Sequence, residues 1–257
     1  MGEFYFEHKS SIRFILIIAF IAYIASMLFY PFYSVEGCIG GKWFHVQKVW
    51  DRWQTFNVGV IALFSSVLAL ETTIYNENKQ RKRNFQAAKA FLPDALSELI
   101  TYYKWSAKIY AQVWSARDEE FHKLQDIDDN LPTSYKTIFV DCIRYAEPEL
   151  AQYLANILAL LQVHNSRLET YYAGAFYQID RNNLFLLSNI INLAELHGLT
   201  AKLFDFARGD EEFNNEKLTI DNFYNAYSNL NIIVENYVVD KTASLEAETQ
   251  KRVNKNS

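Results

Sequence analysis

The sequence predicts an all-α protein: an N-terminal two-helix transmembrane hairpin followed by a cytoplasmic helical bundle. Three observations carry this. Two runs, Phe14–Val35 and Trp53–Leu70, contain no charged residue. A basic cluster of Lys79, Arg81, Lys82 and Arg83 follows the second run. Beyond it, apolar residues recur at steps of three and four, and no alternating stretch bounded by hairpin turns occurs, which is the pattern of helices without strands. The 257 residues, half of them apolar, suffice for one sizeable domain and a membrane anchor.

A bilayer core about 30 Å thick takes roughly 20 apolar residues as a helix. The first run meets this, and the second just reaches it, diluted by Asn57, Ser65 and Ser66. The first run exceeds the apolar core of a signal peptide and no small-x-small cleavage site follows it, so cleavage is the weaker reading. Lys and Arg near span ends mark the cytoplasmic side. Lys9, Arg13 and the Lys79–Arg83 group outnumber Lys42, Lys48 and Arg52 of the intervening loop, which places both termini in the cytoplasm. This divides the chain into a cytoplasmic tail (1–13), a hairpin (14–75) with a short periplasmic amphipathic loop at about 36–53, a cytoplasmic helical domain (76–239) and a polar, frayed tail (240–257).

Within the first span Ala19, Ala22 and Ser26 form a stripe of small residues, and within the second Gly59, Ala62, Ser66 and Ala69 do the same. Small residues let helix backbones approach closely in lipid. The stripes can close an antiparallel hairpin within one chain, or one stripe can close the hairpin while other faces build a homo-oligomer. Neither span holds an ionisable residue at depth, as a transporter or pump requires. A pore would need several copies, lined by Asn57, Ser65 and Ser66 or by backbone. Between the spans Trp43, Phe44, Val46, Val49, Trp50, Trp53 and Phe56 can gather on one side of a short surface helix, or form an aromatic belt without regular structure. Trp43, Trp50 and Trp53, with Lys79, Arg81, Lys82 and Arg83, are the candidate membrane-interface anchors.

The basic cluster does not mark a nucleic-acid binder. From residue 90 to the end, 24 acidic residues stand against 15 basic ones, a net of −9, where a basic face is the electrostatic footprint of nucleic-acid binding. The cluster reads instead as a juxtamembrane collar facing anionic headgroups.

The downstream helices follow in order. Glu71–Leu92 has no proline or glycine, so it can continue the second span as one helix. Pro93-Asp94 starts a fresh helix with Leu96, Leu99, Tyr103, Ala107, Tyr110 and Trp114 at helical spacing. Residues 117–132 read as a polar loop, and Thr133 or Ser134 caps a short helix to about Glu147. Pro148 opens a long helix that Gly174 ends, with Leu150, Leu154, Ile157, Leu161, His164, Leu168 and Tyr171 as its stripe. Asp180 caps the next, which runs to Arg208 and Gly209 and is apolar around most of its circumference, hence central. The last carries Ile220, Phe223, Tyr227, Leu230, Val234 and Tyr237.

Motifs for chemistry are absent. The eight glycines form no phosphate loop or dinucleotide fingerprint, and there is no nucleophile elbow or zinc-protease motif. The five histidines are scattered, Asp126–Asn130 lacks the glycine and terminal glutamate of a calcium loop, and Cys38 and Cys142 fall on opposite sides of the membrane. No catalytic activity, metal or cofactor is expected. Two positions stand out. His164 lies in an apolar stripe, where it is either a hydrogen-bonded core residue or a protonation switch. Gly198 interrupts the most apolar helix and permits close packing rather than chemistry.

The segments NFQAAKAFLPDALSELITYY (Asn84–Tyr103), LFDFARGDE (Leu203–Glu211) and LTIDNFYNAY (Leu218–Tyr227) resemble an uncharacterised group of bacterial proteins with two N-terminal spans and a cytoplasmic helical domain. The layout also resembles two-span effectors of antiphage defence systems, including retron types. That resemblance implies an inner-membrane effector that permeabilises the bilayer when its cytoplasmic domain senses a trigger. The alternative is a non-toxic membrane-anchored scaffold or regulatory subunit that recruits a cytoplasmic protein partner through its acidic domain.

Overall fold

The computed structural model describes residues 9–33, 41–116, 132–172, 183–240 and 243–256. The expectations for Cys38, the loop at 117–131 with Asp126–Asn130, the helix stop at Gly174 and the cap at Asp180 lie outside these residues. Among the described residues the fold is all-α, with one isolated bridge, Val238 to Ser244, in place of any strand. The chain forms two units, residues 1–77 and 78–257.

The first unit holds α1 (Lys9–Tyr33), α2 (Lys42–Arg52) and the first part of α3 (Gln54–Lys89). The rings of Phe20 and Phe64 stack at 3.8 Å, while Tyr23 meets Phe56 edge-on at 6.0 Å and hydrogen-bonds Asn57. Residues ascending α1 thus meet residues descending α3, so the two helices run antiparallel. The predicted loop helix exists as α2, entered through Gly41 at φ 86°. Its inward stripe is narrower than expected. Val46 is buried and Val49 and Trp50 half-buried, whereas Trp43, Phe44 and Trp53 point outward.

As the absence of Pro and Gly from Glu71 to Leu92 predicts, α3 runs without a break to Lys89. It ends there because Pro93, in the first turn of α4 (Leu92–Ser115), has no N–H to offer the Lys89 carbonyl four residues earlier, so the hydrogen-bond ladder cannot continue.

The second unit packs α4, α5 (Ser134–Tyr145), α6 (Pro148–Tyr172), α7 (Asn183–Ala201), α8 (Leu203–Arg208), α9 (Ile220–Asn229) and α10 (Leu245–Asn256). The central helix is α7, which touches α4, α6, α8, α9 and α10. Its buried residues include Leu186, Leu187, Ile190, Leu193 and Leu196, so it buries nearly every face, as the sequence predicts. Gly198 serves the expected close approach: a Cβ there would lie 3.2 Å from the Leu218 side chain. A cap of Thr219 and Asn222, each side chain accepting from the other's backbone N–H, starts α9.

Two expectations are corrected here. The last apolar-periodic segment is not one helix to Tyr237. It stops at Asn229, and Asn231 at φ 56° turns the chain, a conformation that asparagine tolerates better than most residues. Leu230, Ile232 and Tyr237 are buried all the same, so the apolar spacing outlasts the helix. The tail is not frayed either. Leu245 is fully buried, Thr249 bonds the Tyr227 hydroxyl at 2.7 Å, and Arg252 pairs with Glu195 at 2.7 Å. A few residues on one face dock α10, and the polar remainder conceals that face in any average of hydropathy.

Two helical stretches among the described residues are long and apolar enough to cross a membrane, α3 and Asn183–Arg208. The apolar window of α3 is 0 % buried within the protein, whereas that of Asn183–Arg208 is 61 % buried. The first predicted span falls in α1, whose described apolar stretch, Ile17–Tyr33, is shorter than either. Length and composition therefore select α7–α8 as well, because a helix central to a bundle is apolar all round.

Candidate functional site

The first unit centres on a polar contact inside an apolar hairpin. Pro31 lies within α1 and has no N–H, so the carbonyl four residues earlier, that of Met27, loses its helical donor. The Trp50 indole N–H donates to that carbonyl at 3.2 Å. Asn57, 3 % exposed, accepts from the Tyr23 hydroxyl, and its amide approaches the Trp50 carbonyl at 3.5 Å. Three helices are tied by groups that would otherwise be unpaired polar atoms in an apolar setting, each costly to leave so.

Asn57 is thereby committed to the hairpin interior and lines no pore within the chain. Ser66 returns its hydroxyl to the Ala62 carbonyl at 2.9 Å. The small residues do not close the hairpin: Ala19, Ala22, Ser26, Gly59, Ala62, Ser66 and Ala69 are all exposed, and nothing lies within 4 Å of a Cβ built on Gly59. Aromatic side chains pack α1 on α3 instead, on the face that carries the half-buried Val60, Phe64 and Val67. Of the three tryptophans expected as membrane-interface anchors, Trp43 and Trp53 face outward at 68 % and 52 % exposure, while Trp50 turns inward.

The basic collar serves the bundle in part. Arg81 forms an ion pair with Glu147 at 2.7 Å, at the junction of α5 and α6, and Lys89 sits 3.8 Å from the centre of the Phe206 ring. Lys82 and Arg83 are exposed.

His164 is a core histidine, not a near-neutral switch. It is 3 % exposed, with Nδ1 at 3.3 Å from the Tyr110 hydroxyl and Nε2 at 3.1 Å from Ser106 Oγ. Burial, with the nearby Arg167 guanidinium, lowers its pKa to about 3, so the ring is neutral throughout the physiological range. Burial, with Lys104, lowers His197 to about 4. Cys142 is a buried free thiol raised to about 11 by burial and the neighbouring Asp141. No group of three or more metal-ligating side chains occurs among the described residues.

The sequence reading did not anticipate a cleft between α6, α7 and α10. Two adjoining hollows of about 260 and 220 Å³ share Ser188, Asn192 and Arg252. Arg167 lines one of them and Lys251 and Lys255 the other. The sequence did contain a signal for it. Ser188, Asn189, Asn192 and Glu195 set a polar stripe along the otherwise apolar α7. Asn189, 1 % exposed, accepts from Arg167 at 3.3 Å and donates to the Tyr171 hydroxyl at 2.9 Å.

Compared with family models, curated proteins and solved structures, the chain matches none.

Proposed function

We propose that α1 and the apolar part of α3 insert in the bacterial inner membrane as a hairpin, with both termini cytoplasmic. In this reading the residue 78–257 bundle regulates the hairpin, and copies associate to permeabilise the bilayer. The observation that carries it is the 0 % burial of the apolar window of α3. Ile61, Leu63, Leu68 and Leu70, with Ile15, Ile17, Ile18 and Ile21 on α1, stay exposed. Burying one large aliphatic side chain is worth about 1.5–3 kcal/mol, so a hairpin with this surface is far more stable in lipid than in water. The exposed small residues support association between copies, because the aromatic face closes the hairpin and leaves the stripes for another helix.

Inducible expression in cells tests the reading, with membrane potential followed by a fluorescent dye. The effector role requires depolarisation when the protein is triggered. It also requires Gly59→Leu and Ala62→Leu to abolish depolarisation while the protein still fractionates with membranes. Membrane retention with unchanged potential under every trigger selects the anchored scaffold, and recovery of the full chain in the soluble fraction overturns both.

A further inference from the structure

We infer that the cleft between α6, α7 and α10 binds a small phosphate-bearing anion. The inference goes beyond the membrane reading and does not depend on it. Residues 90–257 carry a net charge of −9, yet Arg167, Lys251, Arg252 and Lys255 converge on this cleft. Among the described residues two carboxylates answer them: Glu248 pairs with Lys251 at 2.6 Å and Glu195 with Arg252 at 2.7 Å. Arg167 and Lys255 have no carboxylate partner among the described residues. Arg167 borders one hollow and Lys255 the other, on either side of the shared Ser188, Asn192 and Arg252, and two such cations in an acidic domain call for an anion between them.

The polar groups are placed for oxygen ligands. Arg252 gives its Nη2 to Glu195 and to Asn192 Oδ1, at 2.7 and 3.3 Å, which fixes the plane of the guanidinium. Because Asn192 turns its oxygen to Arg252, its amide N–H groups are left to donate elsewhere, and Ser188 lines the same two hollows. Arg167 is held by Asn189 and lies over the Phe185 ring at 5.8 Å, so it is preorganised. Guanidinium and hydroxyl donors arranged around a net positive hollow match phosphate oxygens. The adjoining hollow, floored by Leu184 and Ile191, leaves space for the organic part of the ligand.

Full-length protein in detergent tests this with sodium pyrophosphate, read by tryptophan-fluorescence melting and titration calorimetry against sodium chloride at equal ionic strength. A saturable rise in Tm with pyrophosphate is expected. Lys255→Glu and Ser188→Glu, both at exposed positions, are expected to weaken binding about tenfold or more, since a hydrogen bond to a charged group is worth about 1.5–3 kcal/mol. Both variants should keep the wild-type melting temperature without ligand, which separates lost binding from lost folding. Micelles doped with phosphatidic acid form the second arm. A response there and not to pyrophosphate, lost in Lys255→Glu, assigns the phosphate to a lipid headgroup. The inference is overturned if neither probe exceeds chloride, or if both variants respond like the wild type.

Discussion

Trp50 donates its indole N–H to the Met27 carbonyl at 3.2 Å, the carbonyl that Pro31 strips of its helical donor. A helix-breaking proline and a tryptophan 19 positions on are thus two halves of one contact, which seats α2 against α1.

Trp50→Phe removes the donor and keeps most of the ring. It is expected to lower hairpin stability by about 0.5–1.5 kcal/mol, the net worth of one hydrogen bond. Pro31→Ala restores a backbone donor to Met27, so Trp50→Phe should cost less in that background. Unfolding of the four chains in detergent, analysed as a double-mutant cycle, measures the coupling; strictly additive effects would dissociate Pro31 from Trp50.

His164 and His197 make the bundle acid-sensitive. Their folded-state pKa values, about 3 and about 4, lie below the ordinary histidine value of about 6.5, so below pH 6.5 the unfolded chain binds more protons than the folded one. Stability is then full above pH 6.5 and falls as pH drops toward 3 and 4, by up to about 1.4 kcal/mol per pH unit for each histidine. His164→Gln keeps hydrogen-bonding capacity and removes the titration. Its denaturation profile between pH 6.5 and 4.5 should be shallower than that of the wild type, and parallel profiles would refute a neutral buried His164.

Gly198→Leu should destabilise the bundle by about 1–3 kcal/mol through overpacking, because even a Cβ at 198 meets Leu218 at 3.2 Å. Leu218→Ala should recover part of that loss. Chemical denaturation of both single variants and the double variant checks the pairing, and an unrelieved double variant would place the clash elsewhere.

Leu245→Ala tests whether the C-terminal helix belongs to the core. Leu245 is 0 % exposed, and its N–H bonds the Tyr237 carbonyl at 2.9 Å. Truncating a buried leucine costs about 2–5 kcal/mol, whereas in a frayed tail the same change would leave the melting curve unmoved.

Features set by neighbours along the chain were legible before any contact was known. The helix start at Pro93, the unbroken α3, the encircling apolarity of α7 and the left-handed stop at Gly209 all follow from residues within a few turns of each other. Which face closes the hairpin is not legible in the sequence, because small residues and aromatics both recur at helical spacing. Phe20 and Phe64 against Ala22 and Ala62 cannot be ranked without knowing which face meets the partner. The docking of α10 is hidden in the sequence because its buried residues, Leu245 and Thr249, stand among charged ones.

The cleft shows the same division most plainly. Local sequence determined the helices, their apolar faces and the polar stripe of Ser188, Asn189 and Asn192, since backbone hydrogen bonding and side-chain periodicity act over a few residues. Only the tertiary structure decided that Arg252, 60 positions beyond Asn192, and Arg167, on another helix, come to that stripe. Such convergence depends on how long-range packing settles the rotation and register of each helix. Those are collective properties of the core, and no local stretch of residues encodes them.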